Sequence, residues 1–170
     1  MTWRQAVRSL LISWDWITAA AIVLAMSFLI PSGLTFPLAK EIFGASISVL
    51  AIVFSVFFAA LAVLITAGDN EFVAFLQEDG SYIRIVWTFK ITLLLLSLAL
   101  LSSLVLFTTS LAPSQLQPPP AYPRSLLLVF GFLGLYALLA AMHSSLDVIR
   151  YAQFRADYLH IIEKDKQPRK

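Results

Sequence analysis

Cysteine is absent from the 170 residues, and histidine occurs only at His143 and His160. Without a thiol the chain forms no structural disulfide, holds no thiolate metal site and does no thiol redox chemistry. Two histidines so far apart make no metal-ligating cluster, and only His143 falls within an apolar run, so no pair on facing helices is there to grip a haem. Charge is also scarce. Charged residues make up 13% of the chain, against about a quarter in soluble domains. The formal net charge of +2 is too small for a nucleic-acid binder. No Gly-rich phosphate loop and no Ser/His/Asp grouping occurs. The acidic residues Asp69, Glu71, Glu78 and Asp79 lack the alternating spacing of an EF-hand loop and read as a solvated turn. Neither enzymatic activity nor a metal or cofactor is expected.

What fills the chain instead is apolar: 59% of it is hydrophobic. Long apolar runs cover 16–30, 42–67, 83–109 and 125–149, and runs of such length read as transmembrane helices. The expected fold is therefore an all-α integral membrane protein, a single domain of four transmembrane helices over 1–170. Asp15, flanked by Trp14 and Trp16, stands where a signal peptide would be plain, and no small-x-small site follows, so the first run is expected to stay as a helix. Pro31-Ser32-Gly33 ends it. The link to the second span is short and carries Pro37, Lys40 and Glu41, which predicts a tight hairpin of the first two spans. A short amphipathic helix is expected over 69–80, and the proline-rich 110–125 reads as a stiff, extended connector.

Lysine and arginine placement sets the orientation. Arg4, Arg8, Arg84 and the basic tail 150–170 fall on one side, against only Lys40 and Arg124 on the other, which places both termini in the cytoplasm. Two amphipathic segments flank the bundle. Trp3, Val7, Leu10 and Trp14 share one helical face, as in a helix lying in the headgroup layer. Tyr151, Phe154, Tyr158 and Ile161 recur at helical spacing, so the fourth helix is expected to run on past the membrane and to offer a surface to lipid or to a cytoplasmic protein partner.

Four ionisable residues stand out because charge inside a bilayer is costly. Lys90 enters with the third span, while His143 and Asp147, one turn apart on the fourth, return to the same inner-leaflet depth; Asp15 sits at its edge. Lys90 has three possible roles: snorkelling to the interface, a clamp with Asp147, or lining a water-filled path. The clamp is favoured. A second pattern runs through the second span, where Gly44, Ser48, Ala51, Ser55, Ala59, Ala62 and Thr66 recur at spacings of three and four. Such a stripe suits close helix packing or, through its hydroxyls, a pore wall. Ala137, Ala141 and Ser145 repeat the pattern in the fourth span, and Phe43, Phe54, Phe57 and Phe58 lie opposite the first stripe, where they would face lipid or form a constriction.

These features favour a homo-oligomeric ion channel or pore of the plasma (inner) membrane. The chief alternative is a non-conducting accessory, sensing or immunity-type subunit acting through a partner. A third is a proton-coupled small-molecule transporter using Asp147 and His143. The topology is tested directly: a reporter after Lys170 or inserted at 78–81 should be cytoplasmic, and one at 115–120 external. An external C-terminus would overturn both the orientation and the shared depth of the ionisable residues.

Overall fold

The computed structural model describes residues 14–29, 34–66, 81–118 and 120–166. Among these residues there are four α-helices: α1 (Trp14–Leu29), α2 (Phe36–Thr66), α3 (Ser81–Leu111) and α4 (Arg124–Lys166). Among the described residues there is no β-strand beyond one isolated bridge. Helix is what lipid demands here, because every backbone N–H and C=O must find its partner within its own segment. Three stretches, Phe36–Ala62, Ile85–Leu111 and Arg124–Arg150, are long and apolar enough to cross a bilayer. α1 is apolar but shorter: its 16 residues reach about 24 Å. This is a helical membrane protein.

The helix ends differ from the apolar runs for local reasons. α2 begins at Phe36, so Pro37 lies within its first turn instead of in the connector. Proline is tolerated there because its missing N–H would have had no intrahelical acceptor. α4 continues to Lys166, carried past the apolar stretch as expected. The segments 1–13 and 69–80, with their expected amphipathic helices, lie outside the described residues, as do the side chains of Tyr151, Phe154, Tyr158 and Thr66.

The proline-rich connector is tied down. A 3-10 turn forms at Pro113–Gln115, and the chain then pairs with the start of α2: Tyr122 N–H donates to the Leu34 carbonyl at 2.7 Å and Phe36 N–H to the Pro120 carbonyl at 3.3 Å, across the Thr35–Ala121 bridge. Leu34, Ala39, Phe43, Tyr122, Leu127 and Phe130 bury one another beneath this cap. Burial pushes the Tyr122 phenol above its ordinary range, so it stays neutral.

α2 and α3 run antiparallel, with Gly44 beside Phe107 and Phe57 stacked on Phe89 (centroids 4.6 Å apart). α3 and α4 are also antiparallel, and α4 touches all three other helices. Among the described residues α1 packs on α4 rather than on α2, so the first two spans do not pack together as the expected hairpin. A short link makes sequential neighbours close at one end only. It does not make their faces complementary.

The core corrects the expected orientation of α2. Phe43 and Phe57 are buried, Phe54 is partly so, and only Phe58 is exposed. Phe57 packs with Leu50, Phe89, Leu96, Ala99, Ala137 and Ala141 in the main core cluster. Phe57→Ala should therefore destabilise the bundle by roughly 2 kcal/mol or more, through the stacking partner and cavity it leaves. Phe58→Ala, on the exposed side, should change stability by under about 0.5 kcal/mol. Unfolding in mixed detergent micelles measures both.

Candidate functional site: a polar layer and an outward small-residue face

Among the described residues the buried hydroxyl side chains are few, and each has a partner. The Thr92 and Ser144 hydroxyls meet at 2.9 Å across α3 and α4. Ser144 also donates to the Ala140 carbonyl at 2.8 Å, so its own proton is committed and Thr92 is the donor of the pair. Ser103 of α3 donates to the Phe43 carbonyl of α2 at 2.9 Å. Neither link stood out in the sequence. The available signal was several hydroxyls inside each apolar run, and ranking these above the other serines and threonines needs the helix pairing.

The Thr92–Ser144 bond fixes the depth of the ionisable residues. Lys90 and Asp147 lie two and three residues beyond it, on antiparallel helices, and so stand at about the same level. They do not pair. Two residues turn a helix by about 200°, which carries Lys90 away from α4. Lys90 is exposed and makes no ion pair among the described residues, while Asp147 accepts from Arg150 Nη1, three residues on, at 3.5 Å. His143 turns the other way, toward α1, where its Nδ1 lies 3.5 Å from Asp15 Oδ1. Of the four, the fold thus joins Asp15 to His143 and leaves Lys90 apart. Among the described residues no group of three His, Asp or Glu side chains could hold a metal ion.

The stripe on α2 divides. Gly44 faces α3, where an added Cβ would stand 3.4 Å from the Phe107 ring, and Ala51 is half-buried. Ser48, Ser55, Ala59 and Ala62 face outward. With Ala45 and Ile52, both exposed, they form a seam alternating in steps of three and four. That spacing is the one by which helices supercoil around each other. Ser48 and Ser55 donate to the Gly44 and Ala51 carbonyls (3.4 and 2.8 Å), so no hydroxyl on this face needs an outside partner. Ala137 and Ala141 of the shorter stripe are buried in the core, whereas Ser145 is exposed.

A groove of about 390 Å³ separates α2 from α4 on the same side of the bundle, with Ala45, Val49, Gly131, Gly134 and Leu138 in its walls. An added Cβ at Gly131 or Gly134 would meet nothing within 4 Å. These grooves are apolar and open outward, and among the described residues Leu50, Phe57, Phe89, Leu96, Ala99, Ala137 and Ala141 pack together between the helices.

No protein family, curated protein or solved structure matches the chain. The class it belongs to rests on the fold: an all-helical membrane protein with three long apolar helices and a shorter one. The separation of Lys90 from Asp147 has a measurable consequence. In a double-mutant cycle, Lys90→Met and Asp147→Asn should add to within about 0.5 kcal/mol, as unlinked sites do. Asp147→Asn combined with Arg150→Gln should instead deviate from additivity.

Proposed function

We propose that this chain works as a homo-oligomer in the plasma membrane, with both termini cytoplasmic, and that it conducts ions along a path between its copies. The observation that carries this reading is the contrast between a filled interior and an outward face of small and hydroxyl residues. Among the described residues the Phe57–Phe89 stack, Leu50, Leu96, Ala99 and Ala137 pack together between the helices, which favours a path between copies over one inside a single bundle. The outward seam of Ala45, Ser48, Ile52, Ser55, Ala59 and Ala62, small at every position but Ile52, supports close approach of a second α2, and its hydroxyls are the polar groups such an assembly would bring together. This is assembly and passive transport rather than enzymatic chemistry.

A non-conducting accessory or sensing subunit is the second reading. α4 favours it by running sixteen residues past Arg150, about 24 Å of helix beyond the apolar stretch, a reach suited to a soluble partner.

Mass in mild detergent and ion flux into liposomes test the two together. Conduction predicts an oligomer with flux above protein-free vesicles. Ser55→Leu should weaken assembly by about 1–2 kcal/mol and reduce flux with it, because a bulky side chain holds the helix backbones apart. An oligomer without flux would favour the accessory reading, and a monomer insensitive to Ser48→Leu and Ser55→Leu would remove the seam from both.

A further inference from the structure

α4 carries an arginine at each end of its apolar stretch, and only one of them is matched. Arg124–Arg150 spans 27 residues, about 40 Å of helix, which equals the roughly 40–45 Å of a bilayer with its headgroup layers included. Each guanidinium therefore stands at headgroup depth. Arg150 is matched by Asp147, three residues before it. Arg124 forms no ion pair or hydrogen bond among the described residues. Its Nε is buried, so the stem is packed in place, while the half-buried side chain leaves its Nη groups open to the outside. Arginine keeps its charge at any physiological pH, so a fixed cation waits there for an anion. Its charged neighbours at that end do not supply one: Glu41 is exposed and forms no ion pair with it, and Lys40 has the same sign.

A trough begins on the same face of α4. Gly131 lies seven residues from Arg124, about two turns along the helix, and with Gly134 it leaves open the groove against Ala45 of α2. A second groove of about 300 Å³ carries on between the same two helices as far as Met142, and Leu138 belongs to both. From Phe130 to Met142 the trough runs about 18 Å, against roughly 15 Å for the hydrocarbon of one leaflet. Its walls present no free hydrogen-bond donor. The two hydroxyls on them, Ser46 and Ser145, donate to the Ile42 and Ala141 carbonyls of their own helices, each at 2.8 Å. Hydrocarbon suits such a surface, and water or a polar peptide does not. The width also favours a single chain over a helix. Spread over the roughly 12 Å between Phe130 and Leu138, 390 Å³ is a section of about 30 Å², where a helix 10–12 Å across with its side chains needs about 80 Å² or more.

We propose that the α2–α4 trough holds an acyl chain of one glycerophospholipid, whose phosphate is bound by Arg124. Guanidinium and phosphate are complementary in charge and in geometry, because the planar fork offers parallel N–H bonds to two phosphate oxygens. Phe130 heads the trough about 9 Å along α4 from Arg124. The headgroup region is roughly 5–8 Å deep on each side of a bilayer, so the glycerol and ester groups occupy most of that gap. One ligand thus accounts for both the unmatched cation and the apolar trough aligned with it. A single chain supplies the whole site, so the proposal does not depend on assembly of copies.

Native mass spectrometry of the full chain, released from mild detergent, reads bound lipid directly. After delipidation, dioleoylphosphatidylglycerol should bind at one molecule per chain. Dioleoylglycerol keeps the acyl chains but lacks the phosphate, and should bind about tenfold more weakly, the loss expected for a hydrogen bond to a charged group. Arg124→Gln should weaken phosphatidylglycerol binding by about the same factor, and Arg124→Lys, which keeps a phosphate-binding charge, by less. Gly131→Leu should lower binding by filling the trough while Arg124 stays in place. The comparison of the two lipids uses the native chain alone, so it stands even where a variant fails to fold. Equal binding of both lipids by the native chain, or unchanged binding in folded Arg124→Gln and Gly131→Leu, would overturn the site and leave ordinary boundary lipid. Dimers that exclude lipid and are lost in Gly131→Leu would overturn it in favour of a second copy in the trough.

Discussion

Lipid offers its chains as willingly to a leucine as another helix does, so nothing presses these helices together from outside. Association must come from close packing and from polar bonds that have no better partner in hydrocarbon. α4 meets both needs and the rest of the bundle depends on it. Ala137, Ala140 and Ala141 are buried along it, and their small size lets the neighbouring backbones come close. Ser144 continues the same helix face with the hydroxyl that Thr92 reaches from α3. Where α2 and α3 meet, Ser103 plays the same part against the Phe43 carbonyl, and Gly44 leaves space for the Phe107 ring. Large rings then fill what the small residues leave open. This is why Phe43, Phe57 and Phe89 are inside.

α1 lacks these devices. Among the described residues it offers a buried alanine, an aromatic edge and an ion-pair contact to α4. Three helices are joined by buried hydroxyl bonds and stacked rings, while α1 packs along α4. The outward seam of α2 is the other feature the packing leaves unused. Its serines bond to their own helix, so the face is stable against lipid yet smooth enough for another helix.

Much of the fold was legible in the apolar runs alone. Their lengths, the scarcity of charge and the placement of proline marked the helices to within a few residues, and the spacing of Tyr151, Phe154 and Tyr158 announced the extension of α4. The shift of the α2 start to Phe36 came from leaving Pro37, Lys40 and Glu41 in the link, when a first helical turn accepts a proline. The candidate site was less legible. Depth could be counted residue by residue, and Lys90 does share a level with Asp147. Direction around the helix could not, because it depends on which neighbour lies where.

The sequence by itself determined what each segment is, since helix formation in lipid is a local requirement: a chain that cannot bond to water must bond to itself, four residues away. Only the tertiary structure decided who lies beside whom. It sent α1 to α4, buried the phenylalanines of α2, turned its serines outward and matched Asp15 to His143 and Asp147 to Arg150. The physical reason is that hydropathy does not distinguish a neighbouring helix from lipid. Both are apolar, and the choice between them is made by shape and by a few polar contacts whose partners are distant in the chain.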